Sequence, residues 1–226
     1  LVGSEMCIRD SYNAMMATIN PGDEVIITAP FWVSYPDIVL LAEGKPVIVE
    51  CPQSQNFKIT PEQLDKNINS NTKWLMLNSP SNPTGSVYSK KELEDLAHIL
   101  KKYPNVLIMC DDIYEKIIYD ELEFHTLASI EPSLKERCLT LNGVSKSYCM
   151  TGWRLGYCGA PKEIIAAMNK IQSQSTTSTS SITMAAAVEA ISGPQDFIKE
   201  HNEKFLKRRD LVLNKLNNID GITCQK

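Results

Sequence analysis

Short, continuously apolar runs alternate with helical segments through most of the chain, and this alternation limits the fold more than any other feature. The runs that predict strands are 24–28, 45–50, 73–78, 105–110, 137–141 and 154–158. Helix starts between them are marked by Thr60 and Ser89, each an N-cap hydroxyl with Gln or Glu three residues later. Strands that are apolar at every position are typical of a sheet covered on both faces. The sequence therefore predicts an α/β protein with three α-β-α layers and a mostly parallel sheet.

The two ends of the chain depart from this alternation. Residues 1–11 show neither helical periodicity nor the basic start and apolar core of a secretory signal, and we interpret them as a non-native tail. A first helix is expected over 12–19. Beyond Pro161 the strand pattern stops, and helices are predicted over 162–172, 182–191 and 196–217.

Charge and cysteine content exclude several classes of protein. Lys plus Arg number 23 against 27 Asp plus Glu, and no basic cluster lies beside aromatic residues, which argues against a nucleic-acid partner. No run approaches the roughly 18 to 20 apolar residues that a membrane-spanning helix needs. The seven cysteines are odd in number and form no C-x-x-C pair, which favours reduced thiols in the cytoplasm over disulfides or a zinc site.

Polar residues follow several of the predicted strands, where an open parallel sheet binds its ligands. Asn82 lies in the proline-rich segment after 73–78, which on its own could equally be a stiff turn. Asp111, Asp112 and Tyr114 follow 105–110, and ionised carboxylates at a buried strand end require a cationic or hydrogen-bonding partner. A metal is disfavoured because no histidine follows at ligand spacing. His98, His125 and His201 are expected to be ordinary surface or core residues.

Lys146 follows the next strand, and Arg154 lies eight residues further along the chain. Ser145 stands where a nucleotide-binding P-loop would need glycine, so that interpretation fails. A lysine on a loop is usually only solvated, but this one is predicted to share the sheet edge with the polar residues above. A lysine amine can form a Schiff base with an aldehyde, a carboxylate can keep a pyridine nitrogen protonated, and arginine can grip a phosphate. Pyridoxal phosphate carries all three groups.

With these residues in place, the chain resembles the fold-type I, class I/II pyridoxal-phosphate-dependent aminotransferases, in particular bacterial-type aspartate aminotransferase. The segments that carry the resemblance occur in order as PFWVSYPDIV, NSPSNPTG, DDIYE, NGVSKSYCMTGWRLGY and QSQSTTSTSS. The resemblance runs from about Tyr12 to Ile222. Five ordered motifs make it specific.

The resemblance implies a role for each matching residue. Lys146 would form the Schiff base, Asp111 would hold the pyridinium nitrogen, and Tyr114 would donate to the phenolic oxygen of the ring. Asn82 would hold that oxygen and reach the substrate carboxylate, and Trp32 would stack on the ring, core packing being its ordinary alternative. Arg154 would bind the phosphate, with Ser145 or backbone amides as further donors. Trp74 and Trp153 are expected in the core.

The chain also departs from the family pattern. Gly143 replaces the serine that many relatives use as a phosphate donor, and Asp112 replaces the usual glutamate. The glycine-containing turn that cups the phosphate would fall within residues 1–11, and the arginine that clamps the substrate carboxylate would lie beyond Lys226. The expected layout is a tail at 1–11, a cofactor-binding large domain at 12–195, incomplete at its N-terminus, and at 196–226 a connector helix that begins a truncated small domain.

The implied function is transamination from an amino acid, aspartate or glutamate first, to a 2-oxo acid by a ping-pong mechanism through a lysine aldimine. Prephenate, aromatic or alanine aminotransferases and a C–S lyase remain enzymatic alternatives. An aminotransferase-like sensing domain of a transcription regulator is the non-enzymatic one, although no basic helical arm is present, and a fragment without activity is a further possibility. The resemblance also implies that the full-length protein is a homodimer and acts on small-molecule amino acid and 2-oxo acid substrates.

Overall fold

The computed structural model describes residues 2–4 and 7–226, and a seven-stranded sheet runs through its centre. The strands are β1 (Val2–Ser4), β2 (Glu24–Ala29), β3 (Lys45–Glu50), β4 (Thr72–Asn78), β5 (Leu107–Asp111), β6 (Cys138–Gly143) and β7 (Gly156–Gly159). Their order across the sheet is β1-β7-β6-β5-β4-β2-β3. All pairs from β3 to β6 are parallel, whereas β7 runs antiparallel to both β6 and β1. The predicted α/β class with a mostly parallel sheet is confirmed.

Helices cover both faces of this sheet. They are α1 (Cys7–Thr18), α2 (Ser34–Leu41), α3 (Pro61–Asn67), α4 (Lys90–Leu100), α5 (Leu127–Ile130), α6 (Lys162–Ser175), α7 (Ser181–Ser192) and α8 (Asp196–Asn217). Thr60 and Ser89 form complete capping boxes with Gln63 and Glu92, as the sequence predicts. A helical layer on each face of the sheet gives the three α-β-α layers that the sequence predicts.

Alternate residues of the strands enter two separate apolar cores. On one face, Ile26 and Ile108 pack with α3, α4 and α5. On the other face, Val25, Trp74 and Met109 pack with α1, α2 and α6. Because successive side chains of a strand point to opposite faces, a strand between two helical layers must be apolar throughout. Burial on both faces therefore explains the continuous apolar runs of the sequence.

The first helix begins earlier than the sequence predicts. Helix α1 starts at Cys7 rather than Tyr12, and Asp10 and Ser11 are fully buried within it. The periodic pattern misses this first turn because polar side chains occupy buried positions there. Residues 1, 5 and 6 of the predicted tail lie outside the described residues, and its non-native origin stays a prediction.

The C-terminal helices form a third, smaller core with the loop that follows β6. Ala187 of α7 and Ile198 of α8 pack there with Val144 and Leu155. The expectation that Trp153 lies in the core is wrong, because it ends a short 3₁₀ turn on the surface and is 44% exposed. Within residues 2–4 and 7–226, the longest helices are too polar or too short to cross a membrane.

Candidate active site

A cavity opens beyond the carboxyl ends of β4, β5 and β6, with about 510 Å³ of empty space including its mouth. Six of the seven residues predicted for the site line it, namely Trp32, Asn82, Asp111, Tyr114, Ser145 and Lys146. Asn78, Tyr35, Ile113 and Ile8 complete the lining. In register, Asn78 at the end of β4 lies opposite Asp111 at the end of β5, and Asp111 lies opposite Leu141, two residues before the end of β6. Parallel strands therefore bring residues far apart in sequence to one edge.

Asp111 is the buried carboxylate of this cavity, with 5% of its surface exposed. Its Oδ2 accepts a hydrogen bond from the Tyr35 hydroxyl at 2.7 Å, and its Oδ1 accepts one from the Ile113 amide at 3.3 Å. Burial raises the pKa of Asp111, against the lowering effects of these two donors and of the Lys146 charge. No Lys or Arg forms an ion pair with this carboxylate among the described residues. A cationic group in the cavity would complete its environment.

Lys146 supplies the amine of the cavity. Its Nζ lies 5.6 Å from the centre of the Tyr114 ring, and no carboxylate of the described residues lies within ion-pair distance of it. The lysine follows β6 by three residues, and its carbonyl oxygen accepts a hydrogen bond from the Cys149 amide at 3.1 Å. A partly buried amine therefore faces the same space as a buried carboxylate. This is the pairing of groups that the sequence predicts.

Gly143 occupies a tightly packed position. A Cβ there would lie 3.0 Å from the Leu155 carbonyl oxygen and 3.2 Å from the Gly156 Cα, because β6 packs closely on the segment that leads into β7. A side chain here would have to displace its neighbours, so glycine favours this close approach. Two hydroxyls follow it in the loop. Ser145 is buried and lines the cavity, and Ser147 Oγ has no hydrogen-bond partner among the described residues.

Asn78 ties the proline-rich loop to the neighbouring strand. Its Nδ2 donates to the carbonyl oxygen of Asp111 at 2.8 Å, and its Oδ1 accepts from the Asn82 amide at 2.7 Å. One side chain therefore fixes Asn82 relative to the end of β5. No role is predicted for Asn78 from the sequence, although its position as the last residue of a buried strand is a usable signal.

Arg154 is the one predicted site residue that does not line the cavity. Its side chain is exposed, and its Nη1 donates to the Thr151 carbonyl oxygen at 2.8 Å. The residue adopts a left-handed backbone conformation, with φ of 54°, at the end of the 3₁₀ turn. Its proposed contact with phosphate stays a prediction.

Ile8 lines the cavity from the first turn of α1. The resemblance places the phosphate-binding turn immediately before this helix. Residues 5 and 6, which directly precede α1, lie outside the described residues. The apolar side chain of Ile8 offers a phosphate no hydrogen-bond donor.

Tyr35 is the most informative residue that the sequence analysis misses. It lies in the first turn of α2, a helix that is not predicted because Val33 gives no side-chain cap and Pro36 interrupts the pattern. Its ring meets the Trp32 ring edge-on, with centroids 5.5 Å apart. The available signal is that PFWVSYPDIV directly follows β2, at the same edge of the sheet.

Asp112 is buried beside Asp111 but does not line the cavity, and it titrates abnormally. Burial raises its pKa to about 8, with the charges of Asp111 and Glu115 adding to the effect. The folded chain then keeps a proton that the unfolded chain, with a pKa near 4, releases. Between about pH 4 and pH 8 the unfolded state binds fewer protons, so stability falls as pH rises through this window.

We expect Asp112→Asn to remove this dependence. In the parent, the Asp112 carboxyl lowers the free energy of unfolding as the pH rises from 5 to 8. This decrease should be smaller in the variant by a few kcal/mol, since each unit of pKa shift is worth about 1.4 kcal/mol. Urea titrations at the two pH values measure the difference. The exposed Asp37→Asn serves as the control and should follow the parent. Parallel pH profiles for parent and Asp112→Asn would contradict the neutral carboxyl.

No group of three or more His, Cys, Asp or Glu side chains is placed to hold a metal ion within the part of the chain that the structure describes. The cavity combines instead an amine, a carboxylate, two amides, two phenols, a hydroxyl and an indole. This donor set suits an organic ligand that carries an aldehyde and a basic ring.

Comparison with known proteins identifies the family. A family model for aminotransferase class I and II matches residues 10–226. The aspartate/prephenate aminotransferase of Cereibacter sphaeroides is 56% identical over 213 residues, covering 94% of this chain and 53% of the relative. The aspartate aminotransferase of Rhizobium meliloti strain 1021 is 54% identical over 214 residues, covering 95% of this chain and 52% of the relative.

Solved structures agree with this grouping. The crystal structure of aspartate aminotransferase from Rhizobium meliloti has a TM-score of 0.97 and 52% identity, covering 99% of this chain and 56% of that one. Aspartate aminotransferase from Thermus thermophilus with maleate has a TM-score of 0.90 and 38% identity, covering 95% and 56%. The chain spans about half the length of the curated relatives it matches, and it belongs to the class I and II aminotransferase family.

Proposed function

We propose that the full-length protein is a pyridoxal-phosphate-dependent aminotransferase that moves an amino group from aspartate or glutamate to a 2-oxo acid. The observation that carries the proposal is the shared cavity of the Lys146 amine and the Asp111 carboxylate. Family membership supports the reaction class, and the names of the relatives support the donor. Prephenate is the second candidate acceptor because a relative is named for it.

The residues of the cavity fit this cofactor. A buried carboxylate without an ion-pair partner among the described residues suits a protonated ring nitrogen, and an amine without one suits an aldehyde. Tyr114 and Asn82 would hold the phenolic oxygen, and Trp32 would lie against the ring. Ser145 of the cavity would hold the phosphate, together with Arg154, whose side chain lies outside the cavity in this structure. When bound, pyridoxal phosphate supplies an electron sink for the bonds at the substrate Cα.

The protein's own contribution to the chemistry falls on two groups. Lys146 Nζ would bind the cofactor, and on release by an incoming amino acid it would take the proton from the substrate Cα as general base. Asp111 would keep a positive charge on the ring nitrogen, because an ionised carboxylate in a buried site stabilises a cation strongly. Asn82, held by Asn78, would orient the substrate carboxylate.

We also propose the setting in which this activity occurs. Residues 12–195 would form the cofactor-binding domain, and 196–226 would connect it to a second domain. The exposed apolar side chains of α7, Ile182 at 75% and Val188 at 65%, support a homodimer of the full-length protein. The free thiols of Cys51, Cys110, Cys138, Cys149 and Cys224 support a cytoplasmic location.

A donor and acceptor panel on the full-length protein tests the function. With L-aspartate and 2-oxoglutarate we expect oxaloacetate and glutamate in equal amounts, and no product from either substrate alone beyond one turnover per site. A C–S lyase would instead release product continuously without an oxo acid. Sustained turnover of a single amino acid would therefore exclude the proposed transamination.

A further inference from the structure

The hydroxyl of Tyr35 is the only side-chain donor that reaches the Asp111 carboxylate among the described residues. The Oη–Oδ2 distance is 2.7 Å, and both residues are at most 5% exposed. The Ile113 amide holds the other oxygen. Each carboxylate oxygen is thus fixed by one donor, and since an oxygen can accept more than one hydrogen bond, a position for a further donor remains on each.

Tyr35 is itself rigidly placed. Its amide donates to the Trp32 carbonyl at 3.0 Å in the first turn of α2, and its ring packs in the core together with Ile38 and Val39. Its edge-on contact with Trp32 connects it to the residue that is predicted to cover the cofactor ring. One tyrosine therefore contacts both the group proposed to hold the ring nitrogen and the group proposed to hold the ring face.

We propose that Tyr35 is a positioning residue for the cofactor, whose hydroxyl orients the Asp111 carboxylate toward the ring nitrogen and favours its ionised form. This inference rests on the proposed function. A charge-assisted hydrogen bond in a buried site is strong, and it stabilises the charged carboxylate over the neutral one. Lys146 acts in the same direction through its charge. The other ionisable groups near Asp111 are Asp112, its neighbour in sequence, and Tyr114, which lines the same cavity.

Tyr35→Phe tests the role, because it removes only the hydroxyl. In the cofactor-free variant the Asp111 carboxyl should titrate about 1 to 2 pH units higher than in the cofactor-free parent. The ¹³C resonance of labelled aspartate measures this titration. Pyridoxal phosphate should still be captured at Lys146, with roughly ten-fold weaker binding. Tyr88→Phe is the matched control. Tyr88 is equally buried and its hydroxyl accepts from the Ile59 amide at 2.9 Å, away from the cavity, so its loss should leave Asp111 unchanged.

A second measurement needs no substitution at Tyr35. In the parent chain labelled at the tyrosine Cζ, the Tyr35 resonance should shift with pH at the midpoint of the Asp111 titration. Two results would overturn the positioning role alone, provided that capture of the cofactor at Lys146 is normal. One is a Tyr35 resonance that does not shift when Asp111 titrates, and the other is an Asp111 midpoint that is the same in Tyr35→Phe as in the parent. If the parent captures no pyridoxal phosphate at Lys146, the proposed function fails first and the positioning role falls with it.

Discussion

Lys146→Ala is expected to abolish covalent capture of pyridoxal phosphate and to lower transamination by about 10⁴-fold or more, since the nucleophile and the general base are lost together. Borohydride reduction of the chain mixed with the cofactor, followed by peptide mass spectrometry, measures the capture. In the parent the reduced adduct should map to Lys146. The visible absorption band of the bound cofactor should be absent from the variant.

Lys116→Ala is the matched control for this experiment. Lys116 is also partly buried and also lies over a tyrosine ring, with its Nζ 5.3 Å from the centre of Tyr148. It lies in a different part of the surface, near α8, where it donates to Gln195. Its removal should leave the adduct intact. An adduct at Lys116 or at any other lysine that persists in Lys146→Ala would refute the assignment of the amine.

The sequence predicts the parallel part of the sheet well because its physical signal is local. A strand buried on both faces must be apolar nearly throughout, so the inner strands β2, β4, β5 and β6 appear as short apolar runs. The antiparallel direction of β7 depends on the connection instead. Only residues 144–155 join it to β6, and they contain a 3₁₀ turn but no crossover helix. A parallel return needs a crossover connection, usually an α-helix, so a link without one favours an antiparallel strand.

The same distinction applies to the site. Asp111 and Lys146 can be predicted from sequence because each follows a recognisable strand and strand ends converge. The hydrogen bond from Tyr35 to Asp111 joins residues 76 positions apart in sequence and depends on the angle at which α2 leaves β2. No local pattern encodes that angle. Arg154 is the opposite case. Its spacing from Lys146 in the sequence predicts a place in the site, but its side chain lies outside the cavity.

Asp111→Asn is expected to separate binding from chemistry. The amide has nearly the size of the carboxyl, its Oδ1 can accept from the Ile113 amide, and its Nδ2 can donate to the Tyr35 hydroxyl oxygen. The cavity should therefore keep its shape, and Lys146 should still capture the cofactor. The negative charge that would stabilise a protonated ring nitrogen is lost. Removal of one preorganised electrostatic group commonly costs about 10² to 10³ in rate. The exchange of the Cα proton of L-aspartate with D₂O, followed by NMR, measures this step directly.

Asp112→Asn controls for the loss of a neighbouring buried carboxyl. Because Asp112 does not line the cavity and its raised pKa of about 8 leaves it largely protonated at neutral pH, its replacement should change the exchange rate only slightly. The two variants differ by one position in the chain and by the same chemical change. An exchange rate in Asp111→Asn within a few-fold of that in Asp112→Asn would show that the charge at the end of β5 does not drive removal of the proton. If exchange is slow in Asp111→Asn but not in Asp112→Asn, and capture at Lys146 is intact, the Asp111 carboxylate is the group that keeps the ring electron-withdrawing.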